Sequence, residues 1–356
     1  MPARTSPSAD RPASIEPSQG VWYIPPALNH PGVPLLESVS IRTRGLVKKY
    51  GDVTALNGVD LEVHEGETFG LLGPNGAGKT TTVKILITLA QPEAGSAQVG
   101  GVDILREPAR ARRLFGYVPQ ELTADRALTA RENLRWFAGM YHLDRSTREH
   151  RVRELLDLVD LAEAADRPVR TYSGGMKKKL DLACGLIHDP KILFLDEPSL
   201  GLDVKVRADL WRYVLGLKQR GVTVFLCTNY MDEADRLCDR VAVIDRGRIA
   251  VAGTPDELRA ALGGDVITLE TPPEASGTLA GLAQALSTLP FVKETLADGS
   301  RLSVYVEANE TALPRVLEQA SARGTTIQRI AYSRPGLDEV FLKYTGHRID
   351  EEAQRV

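Results

Sequence analysis

Two clusters of residue types in this sequence could do chemistry on a phosphate. The first is Gly73-Pro74-Asn75-Gly76-Ala77-Gly78-Lys79-Thr80, with the spacing G-x-x-x-x-G-K-[ST] of a phosphate-binding loop. Gly76 and Gly78 let the backbone come close to an anion, and the amides that open the next helix point at it along the helix dipole. Lys79 would neutralise phosphate charge, and the Thr80 hydroxyl would ligate magnesium. The second cluster is Asp196-Glu197, two adjacent carboxylates at the end of an apolar run. Beside a phosphate loop such a pair suits phosphoryl transfer, with Asp196 holding magnesium through water and Glu197 polarising an attacking water.

Both clusters need an α/β frame to hold them. Thr68 to Leu72 reads as a short buried strand before the loop, and Thr81 to Leu89 as a helix after it. Lys191 to Leu195 is a further strand, which delivers Asp196; Ser199-Leu200-Gly201-Leu202-Asp203 then turns the chain. Val222 to Cys227, ending at Thr228-Asn229-Tyr230, Val241 to Asp245 and Arg248 to Ala252 complete the core. Upstream, Val39 to Val63 alternates apolar and polar residues around two turn signals, Gly51-Asp52 and Asn57-Gly58. This predicts an antiparallel β-layer leading into the loop. Tyr50, just before the first turn, is either a ring for stacking on an adenine or a sheet aromatic.

Gly95 to Ile104 predicts a short strand with a Gly100-Gly101 turn, and Phe115 to Val118 another that ends at Pro119-Gln120. The hydrophobic period then changes. Thr129-Ala130-Arg131-Glu132 is a capping box, and Leu134, Phe137, Ala138 and Tyr141, then Val152, Leu155, Leu156 and Val159, recur at helical spacing. Residues from about 122 to 188 therefore form a helical insert. It closes on Tyr172-Ser173-Gly174-Gly175-Met176-Lys177-Lys178-Lys179-Leu180, where Ser173 and two glycines open a helix with exposed amides, a second possible anion site. Taken alone, the same stretch is a plain N-cap and its three lysines a solvated face.

The chain has 356 residues and a net charge of −3, which argues against a general electrostatic hold on nucleic acid. Cys184, Cys227 and Cys238 are few, odd in number and set in apolar or helical surroundings, as suits reduced core thiols. No run approaches the ~18 to 20 consecutive apolar residues that a membrane-spanning helix needs. Residues 1–36 are rich in Pro, Ser and Ala and read as a disordered tail with a small apolar island at Trp22, Tyr23 and Ile24. Residues 37–262 form the phosphate-loop domain. Beyond Gly263-Gly264, residues 265–346 read as β-α-β-β-α-β with a terminal helix, a small ferredoxin-like accessory domain, and 347–356 as a tail.

Together these segments resemble the nucleotide-binding domain of ATP-binding-cassette (ABC) proteins. The resemblance spans about residues 39 to 262 and rests on motifs in one order. Tyr50 matches the adenine-stacking aromatic, Gly73 to Thr81 Walker A, Gln120 the Q-loop, Ser173-Gly174-Gly175 the signature, Asp196-Glu197 Walker B with the catalytic glutamate, and Ser199 to Asp203 the D-loop. The basic triplet followed by Leu180-Asp181-Leu182-Ala183, and the later Pro335-Gly336-Leu337-Asp338-Glu339-Val340-Phe341-Leu342, resemble the ATPase subunits of daunorubicin-resistance-type exporters. The resemblance implies ATP and Mg2+ as ligands, and magnesium held by Thr80, Gln120 and Asp196. It also implies a head-to-tail dimer in which Ser173-Gly174-Gly175 of a second copy closes each site. A separate membrane permease would be the partner, and the cytoplasmic face of the membrane the place of work.

One position departs from the family. Where it places a switch histidine after a strand-end threonine, the flanking residues align Asn229. Asparagine can donate a hydrogen bond but is shorter and carries no charge, which implies intact ATP binding with slow or absent hydrolysis. Two other readings stay open: an ATP-binding regulator without turnover, and a soluble ABC protein acting on ribosomes or DNA.

Overall fold

The computed structural model describes residues 22–23, 38–272, 278–307, 312–333 and 335–349. The two tails expected at 1–36 and 347–356 lie mostly outside these residues. In chain order, the first elements are β1 (Trp22–Tyr23), β2 (Val39–Tyr50), β3 (Val53–His64), β4 (Thr68–Leu72), α1 (Lys79–Leu86), β5 (Ala94–Val99) and β6 (Val102–Asp103). Next come α2 (Pro108–Ala111), β7 (Phe115–Val118), α3 (Ala130–Met140), α4 (Arg145–Leu158), α5 (Gly174–Gly185), β8 (Ile192–Asp196) and α6 (Val204–Gln219). The cassette-like part ends with β9 (Thr223–Thr228), α7 (Met231–Leu237), β10 (Arg240–Asp245), β11 (Arg248–Gly253) and α8 (Pro255–Ala260).

The central sheet has the order β1-β11-β10-β4-β9-β8-β7, and β10, β4, β9, β8 and β7 run parallel. Strands buried on both faces need no polar alternation, which is why Phe69 to Leu72 in β4 and Ile192 to Leu195 in β8 read as uniform apolar runs. Their period of two still sorts the side chains. Leu193, Leu195, Val224 and Leu226 face one core with the helical insert and α6. Ile192, Phe194, Phe225 and Cys227 face a second, closed by α1 and the layer β3-β2-β5-β6. The sheet is thus the middle of three layers.

Several elements differ from the sequence expectation. The helix after the loop starts at Lys79 and stops at Leu86, because Thr88 takes a left-handed φ of 65°. Asn57-Gly58 is not a turn but lies inside β3. There the pairing with β2 slips in register and Gly58 has φ 80°, so the chain bulges and continues. In the insert, Thr129 caps α3 and the reciprocal Glu132 hydrogen bond is present. Trp22–Tyr23 pairs in parallel with β11 at the sheet edge.

The second sheet comes from β12 (Asp265–Glu270), α9 (Leu279–Leu286), β13 (Val292–Asp298), β14 (Arg301–Val306), α10 (Ala312–Ala322), β15 (Arg329–Ser333) and α11 (Leu337–Thr345). Its order is β13-β14-β12-β15, antiparallel throughout, as a ferredoxin-like arrangement requires. One face packs on α9 and α10 through Ile267, Leu269, Leu282, Val304 and Val316. Val266 and Tyr305, on the other face, join the core that Val340 and Phe341 of α11 share with the helical side of the central sheet. Helix α11 packs on α7, α8 and β11, so it fastens the two sheets together.

Glu339 lies buried in α11, and burial, helped by neighbouring Asp338, pushes its carboxyl up to about 7 although the Gly336 amide donates to it. A carboxyl whose folded value is raised contributes stability that is complete below its unfolded value and is lost as pH rises through the folded one. Glu339→Gln should therefore gain stability over the wild type as pH goes from 5 to 8, by on the order of 1–3 kcal/mol. Denaturant melts of both chains at the two pH values check this, and a constant difference would refute it.

Candidate functional site

The parallel strands β4, β9, β8 and β7 end on the same side of the sheet. Their carboxyl ends lead into the phosphate loop, Asn229, Glu197 and Gln120 respectively. Crevices outside the carboxyl ends of such strands are where open α/β sheets take ligands. Gly78 caps α1 with φ 112°, and a Cβ there would lie 2.7 Å from Leu56 Cδ2 and 2.8 Å from the Ala55 carbonyl. Only glycine lets the loop sit this close to the β-layer.

Lys79 is buried, and its ammonium donates to the carbonyls of Gly73 at 2.7 Å and Pro74 at 3.0 Å. Its third partner is Glu197 Oε1 at 3.1 Å. The next residue, Thr80, donates its hydroxyl to Asp196 Oδ1 at 3.3 Å. Successive strand residues point to opposite faces, so Asp196 and Glu197 would diverge if β8 simply continued. Glu197 instead turns left-handed, with φ 48°, held by its amide on the Cys227 carbonyl and by its carbonyl on the Leu200 amide. The turn brings both carboxylates to the first two residues of α1. Burial pushes the Asp196 carboxyl up, and the Thr80 hydroxyl and the Lys79 charge pull it back.

A cavity of about 520 Å³ opens here, lined by Asn75, Gly76, Gly78 to Thr81, Gln120, Glu197, Leu200 and Gly201. Asp196 stands behind Thr80, while Gly73 and Ala77 carry the loop's backbone contacts. A hydroxyl and a carboxylate side by side, on a loop with glycine amides, form a hard oxygen donor set that fits magnesium with a phosphate. Asn229, at the end of β9 and outside this lining, is only 1% exposed, and its Oδ1 has no hydrogen-bond partner among the described residues.

Other expected site residues lie outside the lining of this cavity. Tyr50 is 49% exposed, with the Lys48 ammonium 5.2 Å over its ring. Asp203 caps α6 by accepting from the Val206 amide. Ser173 and Gly174 are exposed, and the Ser173 hydroxyl accepts from the Met176 amide at the start of α5. The lysines that follow are not a solvated face. Lys178 is buried, and Lys179 lies within 3.5 Å of Asp209 and 3.7 Å of Asp160. Asp181 is also buried, although neither it nor Lys178 stood out as functional in the sequence. The available signal was a charged residue set inside the apolar run from Leu180 to Ile187, which must find partners.

Sequence comparison meets this geometry from another side. Residues 56–200 match the family described as "ABC transporter", and residues 253–345 match "ATP-binding protein DrrA1-3-like, C-terminal domain". Over 317 residues the chain is 41% identical to the daunorubicin resistance ATP-binding protein DrrA2 of Streptomyces coeruleorubidus, covering 88% of this chain and 98% of that protein. This chain belongs to the ABC transporter ATP-binding family. Among solved structures its fold is similar to an ATP-binding subunit of an ABC transporter, at 32% identity and a TM-score of 0.58, covering 63% of this chain and 93% of that one. It is also similar to a dimeric bacterial ABC transporter cassette, at 26% identity and a TM-score of 0.56, covering 60% of this chain and 98% of that one. In this ABC protein no helix among the described residues is long and apolar enough to cross a membrane.

The Gly78 geometry yields a direct test. Gly78→Ala should weaken binding of a fluorescent ATP analogue at least about tenfold, because the loop must move away from Leu56 and Ala55 to admit the methyl group. Affinity equal to the wild type would mean that this backbone does not hold the phosphates.

Proposed function

We propose that this protein is the ATP-binding, energy-coupling subunit of an ABC exporter of drugs, antibiotics or lipids, working with a separate permease at the cytoplasmic face of the membrane. The observation that carries this reading is the convergence of four motifs, distant in sequence, on one cavity: the phosphate loop, Gln120, Glu197 and Leu200-Gly201. The names of relatives, daunorubicin resistance proteins among them, support the export role.

In this reading the amides from Gly76 to Thr81 and the Lys79 ammonium bind the phosphates, and Tyr50 stacks on the adenine. Thr80, Asp196 and Gln120 hold Mg2+, which when bound supplies charge neutralisation at the phosphates. Glu197 accepts a proton from the attacking water. Ser173-Gly174-Gly175 and Asp203 of a second copy complete the site, which fits the exposure of Ser173 and Gly174 outside the cavity of their own chain. The dimeric cassette with a similar fold supports that arrangement. Closure of the dimer on ATP then moves the permease. Recovery of a permease with this chain from detergent-solubilised membranes is the expected result, and a preparation free of membrane protein would reject the export role.

Asn229 bears on turnover. Its carboxamide stands where a histidine would serve the γ-phosphate, and loss of one donor at a developing charge commonly costs about 10² to 10³ in rate. Asn229→His should raise steady-state hydrolysis at least about tenfold with little change in ATP affinity. If turnover stays the same, the position is not the switch.

A further inference from the structure

The segment that carries Gln120 is gripped at both ends by one helix. Lys178, 9% exposed, donates its ammonium to the carbonyls of Pro119 at 2.7 Å and Gln120 at 3.1 Å. One turn further along α5, Asp181, 1% exposed, accepts at Oδ1 from the Thr123 amide at 3.0 Å, the Thr123 hydroxyl at 2.7 Å and the Ala124 amide at 3.3 Å. Residues three apart on a helix share a face, so the cation and the anion meet the segment side by side. The Lys178 ammonium is held directly by these two carbonyls, and the nearby Asp181 and Asp196 carboxylates favour its charge. Burial pushes the Lys178 ammonium down and the Asp181 carboxyl up, which is the cost of keeping two charges here. Behind the clamp α5 presses on β7, where a Cβ on Gly116 would lie 2.0 Å from the Gly185 carbonyl.

The same helix begins at Ser173, so its two ends serve different sites. We propose that Lys178 and Asp181 are positioning residues that make the Gln120 segment and the signature helix one moving body, so that a nucleotide engaging Ser173 from the other protomer repositions Gln120 at this protomer's own site. The inference rests on the composite dimer proposed above and adds to it a link between the two ATP sites. The link runs through four backbone groups and one hydroxyl of residues 119–124, and a neutral apolar side chain at either position cuts it.

The test uses the full chain with magnesium and ATP, read by equilibrium ATP binding, dimerisation and backbone hydrogen exchange. The wild type should bind with a Hill coefficient approaching about 2 as it dimerises. Lys178→Met should lower this to about 1 while half-saturation moves less than about threefold, and should speed exchange of amides 120–124 at least about tenfold. Lys178→Arg keeps the donors and should restore both. Asp181→Asn keeps the shape and guards against a folding defect; it should loosen the same amides. Unchanged cooperativity in a dimerising Lys178→Met, or no rescue by Lys178→Arg, overturns the proposal. A wild type that binds ATP and stays monomeric overturns the composite dimer itself, and the transmission with it; only in that case is the wild type's own isotherm without cooperativity.

Discussion

A buried ammonium sets the terms for this site. Lys79 has three N–H groups and three acceptors: two carbonyls of its own loop and the carboxylate of Glu197. A charge removed from water must be met by partners, so the end of β8 has to stay within reach of the start of α1. The parallel order of β4, β9 and β8 supplies the distance, and the left-handed backbone at Glu197 supplies the direction. An L residue with that backbone costs about 1–2 kcal/mol, offset here by the ion pair and by hydrogen bonds on both sides of the turn. Because every donor of Lys79 is taken, a phosphate can bind it only by displacing one of these acceptors.

The central sheet and the loop were legible in the sequence because their signals are local and redundant. Phe69 to Leu72 and Ile192 to Leu195 carry no polar side chain, and the glycine spacing of the loop leaves its backbone few alternatives. The C-terminal strand order also follows from the β-α-β-β-α-β pattern once the right-handed crossover is respected. What escaped depends on partners far along the chain. Lys178 stands in a basic triplet that resembles any solvated helix face, and its acceptors lie some sixty residues upstream. Leu180, Ala183 and Cys184 of α5 are buried, and so is the face that carries Lys178 and Asp181. Asn57-Gly58 has the local chemistry of a turn, but strand pairing on both sides absorbs it as a bulge.

The two hydrophobic cores on either side of the central sheet divide labour. The core under the antiparallel layer is built from β2, β3, β5 and α1 and backs the phosphate loop. The other joins the insert, α6, α7 and α11, so the signature helix shares its packing with the second sheet rather than with the loop. The Gln120 segment, by contrast, meets α5 through the polar contacts of Lys178 and Asp181. Polar contacts can be exchanged for others without opening a cavity, whereas a packed core resists sliding.

One small feature reaches further than its size. The turn between β10 and β11 closes on the phosphate loop, with the Gly247 amide donating to the Ala77 carbonyl, and Asp245 beside it hydrogen-bonds His347 Nε2 at 3.1 Å. His347 and Arg348 thereby help line a cavity of about 300 Å³ against Pro74 to Ala77. A ribosome makes residue 73 long before residue 347, and chains of this size fold as they emerge. The phosphate loop is thus made long before its outermost neighbours, which arrive only with the residues after α11. The order of synthesis makes this outer rim of the loop, unlike the cavity lined by residues 75 to 201, one of the last parts of the molecule to be finished.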